Sequence, residues 1–147
     1  MSEDDRSLAR LMARSAAVLL LVGLLTGALV AFAMTGKLDA EPHAMLAAHL
    51  NAILGTFWIL GVAFTLPMLS FGAKGKRHLA ALVIFANASN WLITLVKSLL
   101  GVVGVSLSGD GANDSVYVAL NLAVVLPSLL AAFCWIRGLS GSPTPAA

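Results

Sequence analysis

The sequence predicts an all-α fold, an integral membrane four-helix bundle with both termini cytoplasmic. Three observations carry that expectation. Apolar residues gather in four runs, each long enough to cross a bilayer as a helix of about 20 residues. Charged residues make up 11% of the chain, less than half the roughly 25% of a soluble domain, while 59% are hydrophobic. The basic residues also sort by side of the membrane. Strands could span only as a closed barrel, and no ten-residue alternating pattern is present, so helices remain.

Taken in order, residues 1–14 form a basic cytoplasmic N-terminus, and residues 15–136 a single transmembrane domain with spans at 15–34, 45–71, 79–105 and 116–136. The longer second and third spans fit the bilayer by tilting. A polar connector with Lys37, Asp39, Glu41 and Pro42 follows the first span, and a basic one with Lys74, Lys76 and Arg77 follows the second. A Gly/Ser/Asp stretch at 106–115 follows the third. Residues 137–147 form a cytoplasmic tail, and the Ser140-Gly-Ser-Pro-Thr-Pro-Ala-Ala147 composition predicts disorder there.

Arg6, Arg10, Arg14, Lys74, Lys76, Arg77 and Arg137 fall on one side and Lys37 alone on the other, which places the first side in the cytoplasm and the protein in an inner membrane. Ala31-Phe32-Ala33 after a basic start also outlines a signal peptide, but the apolar run is too long for one, and an uncleaved helix explains the even number of spans. The net charge of +2 serves orientation and gives no nucleic-acid footprint. Cys134 is the single cysteine, so no internal disulfide forms.

Ionisable groups inside a span are costly and therefore mark function. His49 and Lys97 are the two here, expected roughly 6 Å and 10 Å below the outer surface and able to share one cavity. No carboxylate lies in a span, which disfavours a proton-coupled transporter. Asn87, Asn90, Thr94, Lys97 and Ser98 share one face of the third helix, and that face is either interhelical bonding or the wall of a site. His49 is either a structural histidine or a metal or haem ligand; a lone imidazole would leave the iron one open side. Lys97 is either part of that site or a side chain snorkelling to the interface. Gly23, Gly27 and Ala31 make a small-residue seam that suggests close packing or a homo-oligomer.

From the second helix onward, Ala47-Ala-His-Leu-Asn-Ala52 through Phe71, the spaced Lys74 and Arg77, and Ala88-Ser-Asn-Trp-Leu92 together resemble the small four-helix membrane isomerases, the styrene oxide isomerase and hydroxylaminobenzene mutase family. The run from Val62 to Phe71 resembles the epoxide-isomerase branch; Gly23 to Gly27, Gly55-Thr56-Phe57 and Asn90-Trp91-Leu92 look more like the mutase. In the epoxide branch the resemblance implies haem b, its iron held by the residue matching His49 and acting as Lewis acid on the substrate oxygen. That branch carries an Asn where this chain has Gly55 and a Tyr where it has Thr94.

The reading that follows is a membrane isomerase acting on a small apolar aromatic substrate that reaches it through membrane lipid. Mutase-type conversion of an N-hydroxyarylamine to an aminophenol is preferred over epoxide-to-aldehyde rearrangement. His49 is expected as haem-iron ligand, and Asn90, Thr94 and Lys97 as catalytic residues. Phe57, Trp91 and Asn87 are expected to bind substrate. A non-catalytic haem or electron-transfer subunit is the alternative from another class.

Overall fold

The computed structural model describes residues 2–141, and every described element is helical. Helix α1 spans Glu3–Met34. Ser2 caps it by accepting the Asp5 N–H at 3.1 Å, and Glu3, Asp4 and Asp5 place negative charge at the positive end of the helix dipole. The helix thus begins well before its apolar stretch and carries Arg6, Arg10 and Arg14 on its first turns. Helix α2, Pro42–Thr65, starts on the pre-set backbone of Pro42, with the Glu41 carboxylate accepting the His43 and Ala44 N–H groups. A 3₁₀ turn, Leu66–Met68, built around Pro67, ends it.

Helix α3, Ala73–Leu100, stops five residues before the end of the apolar run. Gly101 adopts φ 63°, the left-handed conformation that glycine takes without a Cβ penalty, and its N–H turns back to the Lys97 and Ser98 carbonyls. Lys97 therefore sits in the last turn, much nearer the helix end than the expected 79–105 span implied. Helix α4 (Gly111–Leu120), a π-helical turn (Asn121–Val125) and helix α5 (Leu126–Leu139) run on as one membrane-length rod, Gly111–Leu139. Residues 137–139, expected in a disordered tail, are helical; the tail beyond residue 141 lies outside the described residues.

Four helical segments are long and apolar enough to cross a membrane. Helix α2 packs against both α1 and α3, and the α4–α5 rod packs on α3. The large core side chains, among them Met12, Ile59, Leu66, Leu69, Leu79 and Val83, fill the end of the bundle where both described termini lie. Lys76 and Asp5 form a buried ion pair at 3.0 Å there, Arg77 meets Asp4 at 3.3 Å, and the Ser70 N–H bonds the Gly138 carbonyl. At the opposite end the Glu41 N–H bonds the Ser98 carbonyl at 2.9 Å and the Ser98 hydroxyl donates to the Glu41 carbonyl at 2.8 Å. The stretch between α3 and α4 is tied down by Asn113, whose side chain accepts the Gly104 N–H and donates to the Ser106 carbonyl. Val18, Leu21, Leu25, Phe64, Phe133 and Ile136 are exposed, a surface too apolar for water and suited to lipid chains.

Candidate active site

Away from the large apolar core, α2 buries mainly small residues beside Met45, and that leaves room for a histidine and several amides. On α2, Ala44, Ala48, Ala52 and Gly55 are buried. His49 lies on one flank of this stripe and Asn51 on the other, since two residues turn about 200° around a helix.

His49 faces α1. Its Nδ1 stands 2.7 Å from the Gly23 carbonyl oxygen. A carbonyl can only accept, so Nδ1 carries a proton, and the tautomer this selects has its lone pair on Nε2. Nε2 makes no hydrogen bond, and because no side-chain nitrogen or oxygen among the described residues is buried without a partner, it reaches the surface of the bundle. The glycine seam of α1 meets α2 of the same chain: a Cβ on Gly23 would come 2.7 Å from the Ala52 Cβ, and one on Gly27 would come 3.0 Å from the His49 Cε1. Ala31, the third seam residue, is exposed.

Asn51 faces α3. Its Nδ2 donates to the Asn90 Oδ1 at 3.1 Å and the Thr94 Oγ1 at 3.2 Å, and the Thr94 hydroxyl lies 3.4 Å from the same Asn90 oxygen. The structure thus joins Asn90 and Thr94 through a residue the sequence reading passed over; the signal was a carboxamide two positions after His49 in an apolar helix. The Asn90 Nδ2 remains an unengaged donor. One turn away, Asn87 donates to the Val83 carbonyl at 2.8 Å and fills the space left by Gly55, where a Cβ would fall 2.7 Å from the Asn87 Oδ1.

The remaining expected site residues are dispersed. The Trp91 indole donates to the Thr26 hydroxyl of α1 at 3.0 Å, and its ring helps line a groove of about 460 Å³ between α1 and α3, together with Arg14, Val18, Val22, Ile84 and Ala88. Phe57 is 64% exposed and points away from the bundle. No contact joins it to Trp91. Lys97 belongs to the end of the bundle opposite the described termini, where its charge adds to the backbone hydrogen bonds from Ala44 and His43 in holding the Glu41 carboxyl below its usual range. His49 turns to α1, and the Lys97 chain runs near Gly104 in the stretch between α3 and α4, so the two groups face different neighbours.

Among the described residues no cluster of three or more His, Cys, Asp or Glu side chains exists to hold a metal ion. The donor set that is present suits a group needing one imidazole nitrogen: His49 offers a fixed Nδ1 proton and a free Nε2.

A protein of this build, four membrane-length helices with an oriented histidine and a carboxamide cluster between them, belongs to the class of small multi-pass membrane proteins. Its sequence matches the styrene oxide isomerase family over residues 8–140, and the chain belongs to that family. It is also 25% identical over 146 residues to the hydroxylaminobenzene mutase HabB of Ectopseudomonas oleovorans, across 95% of this chain and 85% of that one. No solved structure matches it. Family and relative together support an isomerase-type function.

Proposed function

We propose that the protein is a membrane-embedded isomerase of small aromatic molecules that carries an N-hydroxyarylamine to an aminophenol, with His49 as the single protein ligand of haem b iron. The observation that carries the reading is the His49 ring, whose Nδ1 is engaged by Gly23 and whose Nε2 is free. A ligand histidine needs that arrangement, because the carbonyl sets the tautomer and makes the other nitrogen a better donor. Haem held there by His49 would supply a Lewis-acidic iron toward an N–O or C–O oxygen as that bond breaks. The chain's own contribution is to hold the imidazole and to keep water from a cationic reaction centre.

Asn90 offers its free Nδ2 to orient a substrate oxygen, with Asn51 and Thr94 holding its Oδ1. It lies across α2 from His49, so the two side chains do not share a site within one chain, and the homo-oligomer expected from the sequence is part of this proposal. Trp91 is the aromatic wall best supported by its surroundings, since its groove opens toward lipid and has room for a small aryl molecule. The gathering of basic residues at the end with both described termini supports a cytoplasmic side there.

Epoxide-to-aldehyde rearrangement is the second reading, favoured by the family matched at residues 8–140. Against it stands the Asn of that branch being Gly55 here, with the neighbouring space taken by Asn87. The test is the absorption spectrum and turnover of detergent-purified protein offered an N-hydroxyarylamine and an aryl epoxide. A high-spin haem band with aminophenol formation is expected. A low-spin spectrum without turnover would favour electron transfer, and the absence of any haem band would remove the iron from the proposal.

A further inference from the structure

We infer that Gly23 and Gly27 are positioning residues for His49, a cradle on α1 that selects the tautomer and direction of the ring. The inference rests on His49 as a working ligand, and concerns what makes it one. Each glycine contributes something a side chain would destroy. Gly23 lies against Ala52, a Cβ there meeting the Ala52 methyl at 2.7 Å, so only a bare backbone lets α1 come close enough for the Gly23 carbonyl to reach Nδ1 at 2.7 Å. Gly27 stands one turn further on, where a Cβ would come 3.0 Å from Cε1 and 3.1 Å from Nδ1 but 3.7 Å from Nε2. The crowding falls on the Nδ1 side of the ring, so a Cβ at Gly27 asks the ring to shift by a few tenths of an ångström on the side that bonds the carbonyl.

Neither glycine is explained by helix formation, since glycine costs about 1 kcal/mol relative to alanine inside a helix. Nor does backbone conformation require them, because both have ordinary helical φ. Their value is the contact with the ring. The carbonyl keeps the proton on Nδ1 and leaves Nε2 as the lone-pair nitrogen; with the ring displaced, both tautomers become populated and the lone pair loses its fixed direction.

The experiment uses full-length protein in detergent, with ¹⁵N-histidine labelling to read the His49 ring nitrogens, identified by their loss in His49→Ala, and haem titration of the same samples. Wild type is expected to show a single tautomer protonated at Nδ1. Gly27→Ala and Gly23→Ala are each expected to give mixed tautomers and about 10–100-fold weaker haem binding, the usual range for loss of a partner that orients a ligand. Gly23→Ala combined with Ala52→Gly moves the methyl to the other helix and should restore both readouts, which separates the cradle from a general folding defect. Ring signals and haem affinity unchanged in Gly27→Ala would overturn the inference, as would a double variant that folds yet stays like Gly23→Ala. Should wild type bind no haem while the ring signals respond as described, the haem reading fails and the cradle stands.

Discussion

His49 and Gly23, 26 residues apart on neighbouring helices, are joined by a 2.7 Å contact from imidazole Nδ1 to carbonyl oxygen. This contact turns a histidine in a membrane segment, a costly group by itself, into one with a defined proton position and a free nitrogen. It also gives the glycine seam of α1 a purpose within one chain.

If that nitrogen holds iron, His49→Ala loses most bound haem and most turnover together. The helix tolerates alanine well, so thermal unfolding of the haem-free forms should change by no more than about 1 kcal/mol. A full Soret band with normal turnover in His49→Ala would show that the ligand lies elsewhere.

Asn90→Ala should leave haem binding intact and slow turnover about 10²-fold, because its free amide is assigned to aligning the substrate oxygen. Asn51→Ala, which removes the donor to Asn90 and Thr94, should slow turnover less and cost about 0.6 kcal/mol in bilayer stability. Steady-state kinetics of the two variants checks the order; a kinetically silent Asn90→Ala would make the cluster packing alone.

Asp5 and Lys76, their side chains 12% and 11% exposed, form a nearly buried ion pair. Removing one partner, as in Asp5→Ala or Lys76→Met, should destabilise the bundle by about 3–5 kcal/mol, whereas the double variant Asp5→Leu/Lys76→Met should recover most of the loss. Thermal unfolding in detergent decides between this and an additive pair.

Glu41 caps α2, and hydrogen bonds from the Ala44 and His43 N–H groups hold its carboxyl below the usual range. A carboxyl depressed in the folded state contributes stability that is present above its unfolded pKa and disappears as pH falls through the folded value. Acid unfolding of wild type should therefore show a component at the low-pH end that Glu41→Gln lacks. Identical pH profiles for the two proteins would remove the cap from the account.

A reporter fused after Ala147 should be active only in the cytoplasm, given the basic residues of α1 and of the 70–77 connector at that end. Activity only on the outer side would reverse the orientation.

The sequence alone determined the four spans, the sorting of basic residues and the isolation of His49, because hydropathy, charge and residue type are local properties that the bilayer reads directly. Even so, hydropathy ran past the end of α3, where Val102 and Val103 are apolar but Gly101 has already turned the backbone. Only the tertiary structure decided that Gly23 receives the His49 proton, that Asn51 gathers Asn90 and Thr94, and that Lys76 is buried against Asp5, 71 residues away. Each of these depends on the rotation of one helix against another and on the distance between their axes. Those two quantities are set by small residues such as Gly23, Ala52 and Gly55 acting in pairs on different helices, so no single segment carries them.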